Sequence, residues 1–222
     1  MSTPDSPPAN PPAPLPSNPL DALLCAADNA LRALFAPAHA ARQLPLPPAA
    51  DMSAAESRHV AGLMRVNHAG EIAAQALYHG QALMARTPET RAFLLKAAEE
   101  EGDHLAWCAD RLKELGAAPS RLNPFWYAGS FAIGAAAAAL SDRISLGFVT
   151  ETERQVEGHL EEHLRQLPTQ DQRSRTLIEQ MQRDEAGHAQ AAQERGASEL
   201  PWPIRMLMRK TSKVMTRSAY WF

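Results

Sequence analysis

The tetrapeptides Glu101-Gly102-Asp103-His104 and Glu185-Ala186-Gly187-His188 repeat one pattern, Glu-x-x-His, and each follows a solitary glutamate at nearly the same interval. Glu71 precedes Glu101 by 30 residues, and Glu153 precedes Glu185 by 32. An α-helix rises ~1.5 Å per residue, so such an interval climbs one helix, turns, and returns to the same height on the next. The chain therefore reads as one helical hairpin used twice, which predicts an all-α, four-helix architecture.

Hydrophobic periodicity supports this reading helix by helix. Leu63, Val66, Gly70, Ala74, Leu77 and Gln81 recur at three-and-four spacing, and Glu71 falls on that stripe. Thr87-Pro88-Glu89 supplies a cap with proline at the first helical position of a second helix that runs to Gly116. Its stripe holds Leu94, Ala97, Glu101, His104, Leu105, Cys108, Leu112 and Leu115, whereas Glu99 and Glu100 are expected to point elsewhere. A third helix carries Leu146, Val149, Glu153, Val156, Leu160 and Leu167 and ends before Pro168. The fourth aligns Leu177, Ile178, Met181, Glu185, His188 and Ala192, with Gly196 near its stop.

In all four helices the stripe that should be apolar contains ionisable groups. A buried, unpaired carboxylate costs several kcal/mol or takes up a proton, so four of them on facing stripes call for cations. Four carboxylates and two imidazoles suit a pair of iron or manganese ions better than zinc, whose structural sites favour thiolate. One glutamate from each of two helices and Glu-x-x-His from each of the other two is the carboxylate-bridged arrangement of ferritin-like bundles. The i,i+3 spacing sets carboxylate and imidazole one turn apart on one face, so Glu101 and Glu185 are the bridging candidates and Glu71 and Glu153 serve one hairpin each.

A single Glu-x-x-His in a helix is usually a solvated face; two copies on apolar stripes, each preceded at matched spacing by another stripe glutamate, are not. Glu151 and Glu157 lie off the stripe and are expected in solvent. His68, His79 and His163 are expected at the surface or behind the ligands. His159 sits at the stripe edge, nearly two turns past Glu153, where it either supports the centre or carries protons and electrons to it.

The chain has 222 residues, 45% of them apolar, enough for one sizeable core. A net charge of −3 gives no argument for nucleic acid. Cys25 and Cys108 form no C-x-x-C pair, so a disulfide framework is not suggested and a reducing, cytoplasmic setting is the default. No secretory signal or mitochondrial presequence is evident at the N-terminus. Twelve of the 18 prolines fall in residues 1–50, which predicts a mostly disordered tail. Within it, residues 21–35 read as a short amphipathic helix with Leu20, Leu23, Leu24, Ala27, Leu31 and Leu34 on one side, docking either on the body or on a membrane.

The run Arg65-Val66-Asn67-His68-Ala69-Gly70-Glu71, followed by Glu101-x-x-His104, Glu153 and Arg183-Asp184-Glu185-x-x-His188, resembles the demethoxyubiquinol hydroxylase family of ubiquinone biosynthesis. The resemblance covers about residues 57–222, and the first 50 residues lie outside it. It implies Glu71, Glu101, His104, Glu153, Glu185 and His188 as ligands to two iron ions per chain, and a polyprenyl quinol and O2 as substrates. Asn67 stands where an aspartate is common in the family, at a position that is not a ligand.

Two segments fit a lipid-soluble substrate independently. Residues 122–141 carry no charge, begin with Asn123-Pro124-Phe125-Trp126-Tyr127 and are long enough to span a bilayer. They are also the connection that must return the chain between parallel helices, so a crossover helix on the bundle surface is favoured over a transmembrane one. Its aromatic start either admits a quinone or packs on the bundle. Residues 201–222 hold Arg205, Arg209, Lys210, Lys213 and Arg217 and no acid, interleaved with Trp202, Ile204, Leu207 and Val214. That is the composition of an interfacial helix attracted to anionic lipid, or of a basic helix packed on an acidic body.

The resulting expectation is an O2-dependent monooxygenase bound peripherally at the cytoplasmic face of a bacterial membrane. With no dinucleotide fingerprint, its reducing equivalents come from a partner or from the quinol itself. Contacts with other ubiquinone-biosynthesis proteins or with further copies of the chain are compatible with the sequence. The competing readings are another ferritin-like oxidase or hydroxylase, an iron-storage subunit, and a quinone carrier with a vestigial site.

Overall fold

A computed structural model describes residues 18–222, which form seven helices: α1 (Pro19–Phe35), α2 (Ala54–Met84), α3 (Pro88–Glu114), α4 (Asn123–Leu140), α5 (Asp142–Gln166), α6 (Gln172–Glu194) and α7 (Trp202–Trp221). The helix starts are set by local chemistry. Ser53 accepts from the Glu56 amide while Glu56 reaches back to the Ser53 amide, a complete capping box for α2. Thr87, Ser141 and Asp171 cap α3, α5 and α6 by accepting the Thr90, Ile144 and Ser174 amides. The chain leaves α3 and α6 through Gly116 and Gly196, both at positive φ (66° and 88°), a conformation that favours glycine.

Helices α2, α3, α5 and α6 form the bundle as two hairpins, with α2 against α5 and α3 against α6. The core lies in two layers. One gathers Met64, Cys108, Leu112, Leu160, Leu177 and Met181, and the other gathers Tyr78, Leu94, Ala97, Leu146, Val149 and Ala192. On every bundle helix the stripe glutamates and histidines fall between the two layers, which seal them from above and below.

Residues 122–141 form the expected crossover, and its composition has a packing reason. A Cβ on Gly134 would run into the Leu77 carbonyl oxygen, and one on Gly80 into the Phe131 carbonyl, so α4 lies backbone against backbone on α2. Small, uncharged residues are what such a close approach requires. No helix among the described residues is long and apolar enough to cross a membrane.

Helix α2 departs from the single-stripe expectation. Val60, Ala61, Gly62, Leu63 and Met64 are buried in succession, because α4 and α7 cover the sides that the bundle leaves open. Tyr220 of α7 sits where a Cβ on Gly62 would go, and Ala219 packs on Val66 and Ala69.

Residues 1–17 of the proline-rich segment lie outside the described residues, and the remainder is placed against the bundle. Helix α1 docks through Ala30, Ala33 and Leu34 on Ile72, Ala76, Leu105 and Tyr127, while Leu20, Leu23, Leu24 and Leu31 of the predicted stripe remain exposed. Residues 36–52 then run across the bundle as an extended strap, laying Ala40, Leu44, Leu46 and Met52 on the first core layer. The prolines that suggested disorder instead suit an extended segment with no helix to interrupt.

Candidate metal centre

The six stripe residues converge. Glu71, Glu101, His104 and Glu185 bring one ligand atom each to within 4.8 Å of one another, and Glu101, Glu153, Glu185 and His188 do the same. Glu101 and Glu185 belong to both groups, the sharing expected of bridging carboxylates. Their oxygens divide accordingly. Glu101 Oε2 lies 2.9 Å from His104 Nδ1 and its Oε1 lies 3.1 Å from His188 Nδ1. Glu185 Oε1 lies 3.4 Å from His104 Nδ1 and its Oε2 lies 3.5 Å from His188 Nδ1. Glu71 Oε2 approaches His104 Nδ1 at 3.8 Å. Five of the six residues are at most 2% exposed, and His188 is 8% exposed.

The donor set fits cations and is ill-satisfied without them. Both Glu153 oxygens, Glu101 Oε1 and Glu185 Oε2 are buried with no hydrogen-bond partner, and all belong to residues of the two groups. Burial drives the Glu71 carboxyl well above its usual range, reinforced by Glu101 and Glu185, and drives Glu153 up beside Glu185. Burial also opposes ionisation of Glu101, yet His104 and His188 outweigh it and hold Glu101 low. The imidazoles respond in kind: although burial disfavours the cation, the surrounding carboxylates push His188 up to about 12 and raise His104 well above its ordinary value. These opposed shifts are what carboxylates and imidazoles crowded into one buried cluster produce, and a bound cation would relieve them.

Both histidines face the centre with Nδ1, and Nε2 is anchored from the opposite hairpin. His104 Nε2 donates to Asp184 Oδ2 at 3.0 Å, and His188 Nε2 donates to Glu100 Oε2 at 2.8 Å. Each anchor immediately precedes the glutamate of the other Glu-x-x-His, so the repeated unit is acid-Glu-x-x-His, and each unit orients the histidine of its counterpart. A carboxylate on the far nitrogen fixes the tautomer that leaves Nδ1 free for a metal. Sequence analysis missed both anchors, and it set Glu100 aside as pointing elsewhere. The available signal was the acid standing before both motif glutamates.

The remaining candidates sort differently from expectation. Glu151 is buried, not solvated, where its Oε1 accepts from Gln155 Nε2 at 2.6 Å, and Glu157 is half-buried. His68 and His163 are buried and His79 half-buried, so none is a surface residue. None of these joins the two ligand groups, nor does His159, which stacks edge-on against His163 with ring centroids 3.9 Å apart. Asn67 lies buried on α2 outside both groups, with neither amide atom paired.

Comparison with known proteins converges on one family. The family model described as ubiquinone biosynthesis protein COQ7 matches residues 58–219. A 3-demethoxyubiquinol 3-hydroxylase of Bordetella pertussis is 56% identical over 208 residues, covering 92% of this chain and 94% of that protein. Proteins of the same name from Burkholderia multivorans and Cupriavidus metallidurans are each 55% identical over 205 residues, covering 91% and 90% of this chain and 99% of each relative. Coverage of nine-tenths of the chain carries the similarity into the proline-rich segment, beyond the boundary near residue 57 that the motifs alone supported.

Proposed function

The chain belongs to the ubiquinone biosynthesis COQ7 family, and on that premise we propose that it is a 3-demethoxyubiquinol 3-hydroxylase whose six clustered glutamates and histidines hold two iron ions. It is a monooxygenase of ubiquinone biosynthesis, acting on a quinol with O2. The observation that carries this reading is the division of the Glu101 and Glu185 oxygens between the two histidines, so that each of these carboxylates would offer one oxygen beside each imidazole.

Iron bound there supplies the O2-activating redox chemistry. The protein's own residues do the rest. The two core layers exclude water from the carboxylates, Asp184 and Glu100 hold the imidazoles in register, and Glu71 and Glu153 complete one position each. Addition of one oxygen atom to the ring leaves the other to be released as water, which requires two electrons and two protons from a donor or from a quinol.

We further infer a peripheral seat on the cytoplasmic face of the membrane. Helix α7 turns Ala219 and Tyr220 toward α2 and leaves Trp202, Leu207, Val214, Trp221 and Phe222 exposed beside Arg209, Lys210, Lys213 and Arg217. Apolar anchors among cations suit an anionic lipid surface.

Glu101→Ala and Glu185→Ala each remove a carboxylate shared by both groups and are expected to abolish binding of both irons. Glu71→Ala serves one group only and should leave the other occupied. Cells lacking the gene should accumulate a ubiquinone precursor short of one methoxy group, and neither Glu101→Ala nor Glu185→Ala should clear it. Metal analysis returning a single zinc, or normal ubiquinone in the deletion strain, refutes the assignment.

A further inference from the structure

The two halves of the centre repeat each other in sequence but not in their surroundings. On one side, Asp184, which receives the His104 Nε2 proton, is gripped from outside the bundle. Arg42 of the N-terminal strap donates from Nη2 to Asp184 Oδ2 at 2.8 Å, from Nη1 to Asp184 Oδ1 at 3.3 Å, and from Nε to Asp103 Oδ2 at 2.9 Å. Asp103 in turn accepts the Ala41 amide at 2.6 Å, and Gln180 Nε2 donates to Asp184 Oδ1 at 2.9 Å. Trp107 locks the strap from below. Its Nε1 donates to the Arg42 carbonyl at 3.1 Å, the guanidinium stands 5.1 Å from its ring, and that ring lies 5.3 Å from His104. One planar guanidinium therefore spans α3 and α6 at the point where both meet His104.

The equivalent place on the other side is open. Glu100, which holds His188, is 38% exposed, and its remaining ion-pair partner is Lys96, one turn back on the same helix and 76% exposed. An exposed pair of that kind is weak and screened by solvent, so it adds little to the hold on Glu100. Asp184, by contrast, is 18% exposed and fixed by both oxygens.

Resting on the di-iron reading above, we propose that Arg42 is a positioning residue of the metal centre: the strap clamps Asp184 and so makes the His104 metal position the tightly held one, leaving the His188 position as the exchangeable one. The inequality arises from a segment outside the four-helix bundle, so metal retention at the His104 position depends on the Arg42 contact itself and not on the strap's other anchors. Lysine is no substitute, because a single ammonium cannot fork two carboxylates. Loss of a partner that orients a ligand histidine weakens metal binding about 10- to 100-fold, the effect expected here at one position only.

The experiment uses the full chain, loaded with ferrous iron without oxygen, as the unaltered protein, Arg42→Ala, Arg42→Lys and Arg173→Ala. The last removes another strap anchor, the bond from Arg173 Nη1 to the Pro47 carbonyl, without touching Asp184. Iron loss to a ferrous chelator and the Mössbauer spectrum of the ferrous protein are read together. The unaltered chain should release its two irons at distinct rates. In Arg42→Ala the slow phase should accelerate about 10- to 100-fold and one of the two ferrous spectral components should change. Arg42→Lys should fall between, and Arg173→Ala should keep both phases. Should Arg42→Ala fail to fold, Arg42→Lys carries the test with the same sign. Two irons lost from Arg42→Ala at unaltered rates, or both accelerated equally, overturn the clamp. An unaltered chain that binds no iron removes the di-iron premise and the clamp with it.

Discussion

Replacing His163 by leucine should flatten the acid sensitivity of the fold by a calculable amount. The imidazole is 4% exposed, its Nδ1 has no hydrogen-bond partner, and burial, with lesser repulsion from His159 and His59, pushes it down to about 2 from an ordinary 6.5. His59 acts on it from α2 and His159 from its own helix, while Glu162 acts on His159. Because the folded value lies below the unfolded one, the unfolded chain binds the extra proton at any pH between them. The group's contribution is therefore complete above about 6.5 and falls as the pH drops. At about pH 5, some one and a half units below the unfolded value, the loss is about 2 kcal/mol at 1.36 kcal/mol per unit. Urea unfolding of the metal-free full chain and of His163→Leu, at about pH 7.5 and about pH 5, measures the difference directly. The unaltered chain should lose about 2 kcal/mol more than the variant over that interval, while at the higher pH the leucine, which leaves no unpaired nitrogen, should cost little. Parallel losses in the two proteins would mean that His163 is solvated or paired in solution, and the reasoning would fail.

Gly134→Val should destabilise the fold by at least ~1–3 kcal/mol, read as a lowered thermal midpoint, because a side chain there meets the Leu77 backbone and not a movable tip; an unchanged midpoint would show that α4 does not lie on α2 as described. Charge reversal at Arg209, Lys210, Lys213 and Arg217 together should abolish sedimentation with vesicles containing anionic lipid while leaving iron content intact. Binding of the unaltered chain should weaken with salt, given a screening length of ~8 Å at physiological ionic strength. Equal binding to neutral vesicles would discard the electrostatic account of membrane seating.

The candidate ligand set was legible because every signal for it is periodic and local. A glutamate on an apolar stripe stands out against its neighbours three and four residues away, and the repeat of the pattern 84 residues later, Glu101 to Glu185, shows that it is no accident of one helix. Capping residues placed the helix ends for the same reason, since Thr87-Pro88 and the glycines 116 and 196 act within one turn. Burial of Glu151, His68 and His163 was not legible, because a helix covered on several sides has no exposed face to which off-stripe residues can be assigned, and whether it is covered depends on how the other helices pack around it.

The sequence by itself determined that the chain is helical, that it folds one hairpin twice, and which six side chains meet. Those properties follow from identity and spacing along single helices, and the dielectric cost of burying carboxylates does not depend on how the helices are arranged. Only the tertiary structure decided which nitrogen of each histidine faces the centre, that Glu100 and Asp184 anchor them across the bundle, and that Arg42 reaches one anchor from a strap outside it. Hydrogen bonds between residues 80 to 142 positions apart have no periodicity to announce them. They exist because packing brings the segments together, and the same proline-rich composition that suggested disorder is compatible with a strap once a surface is there to receive it.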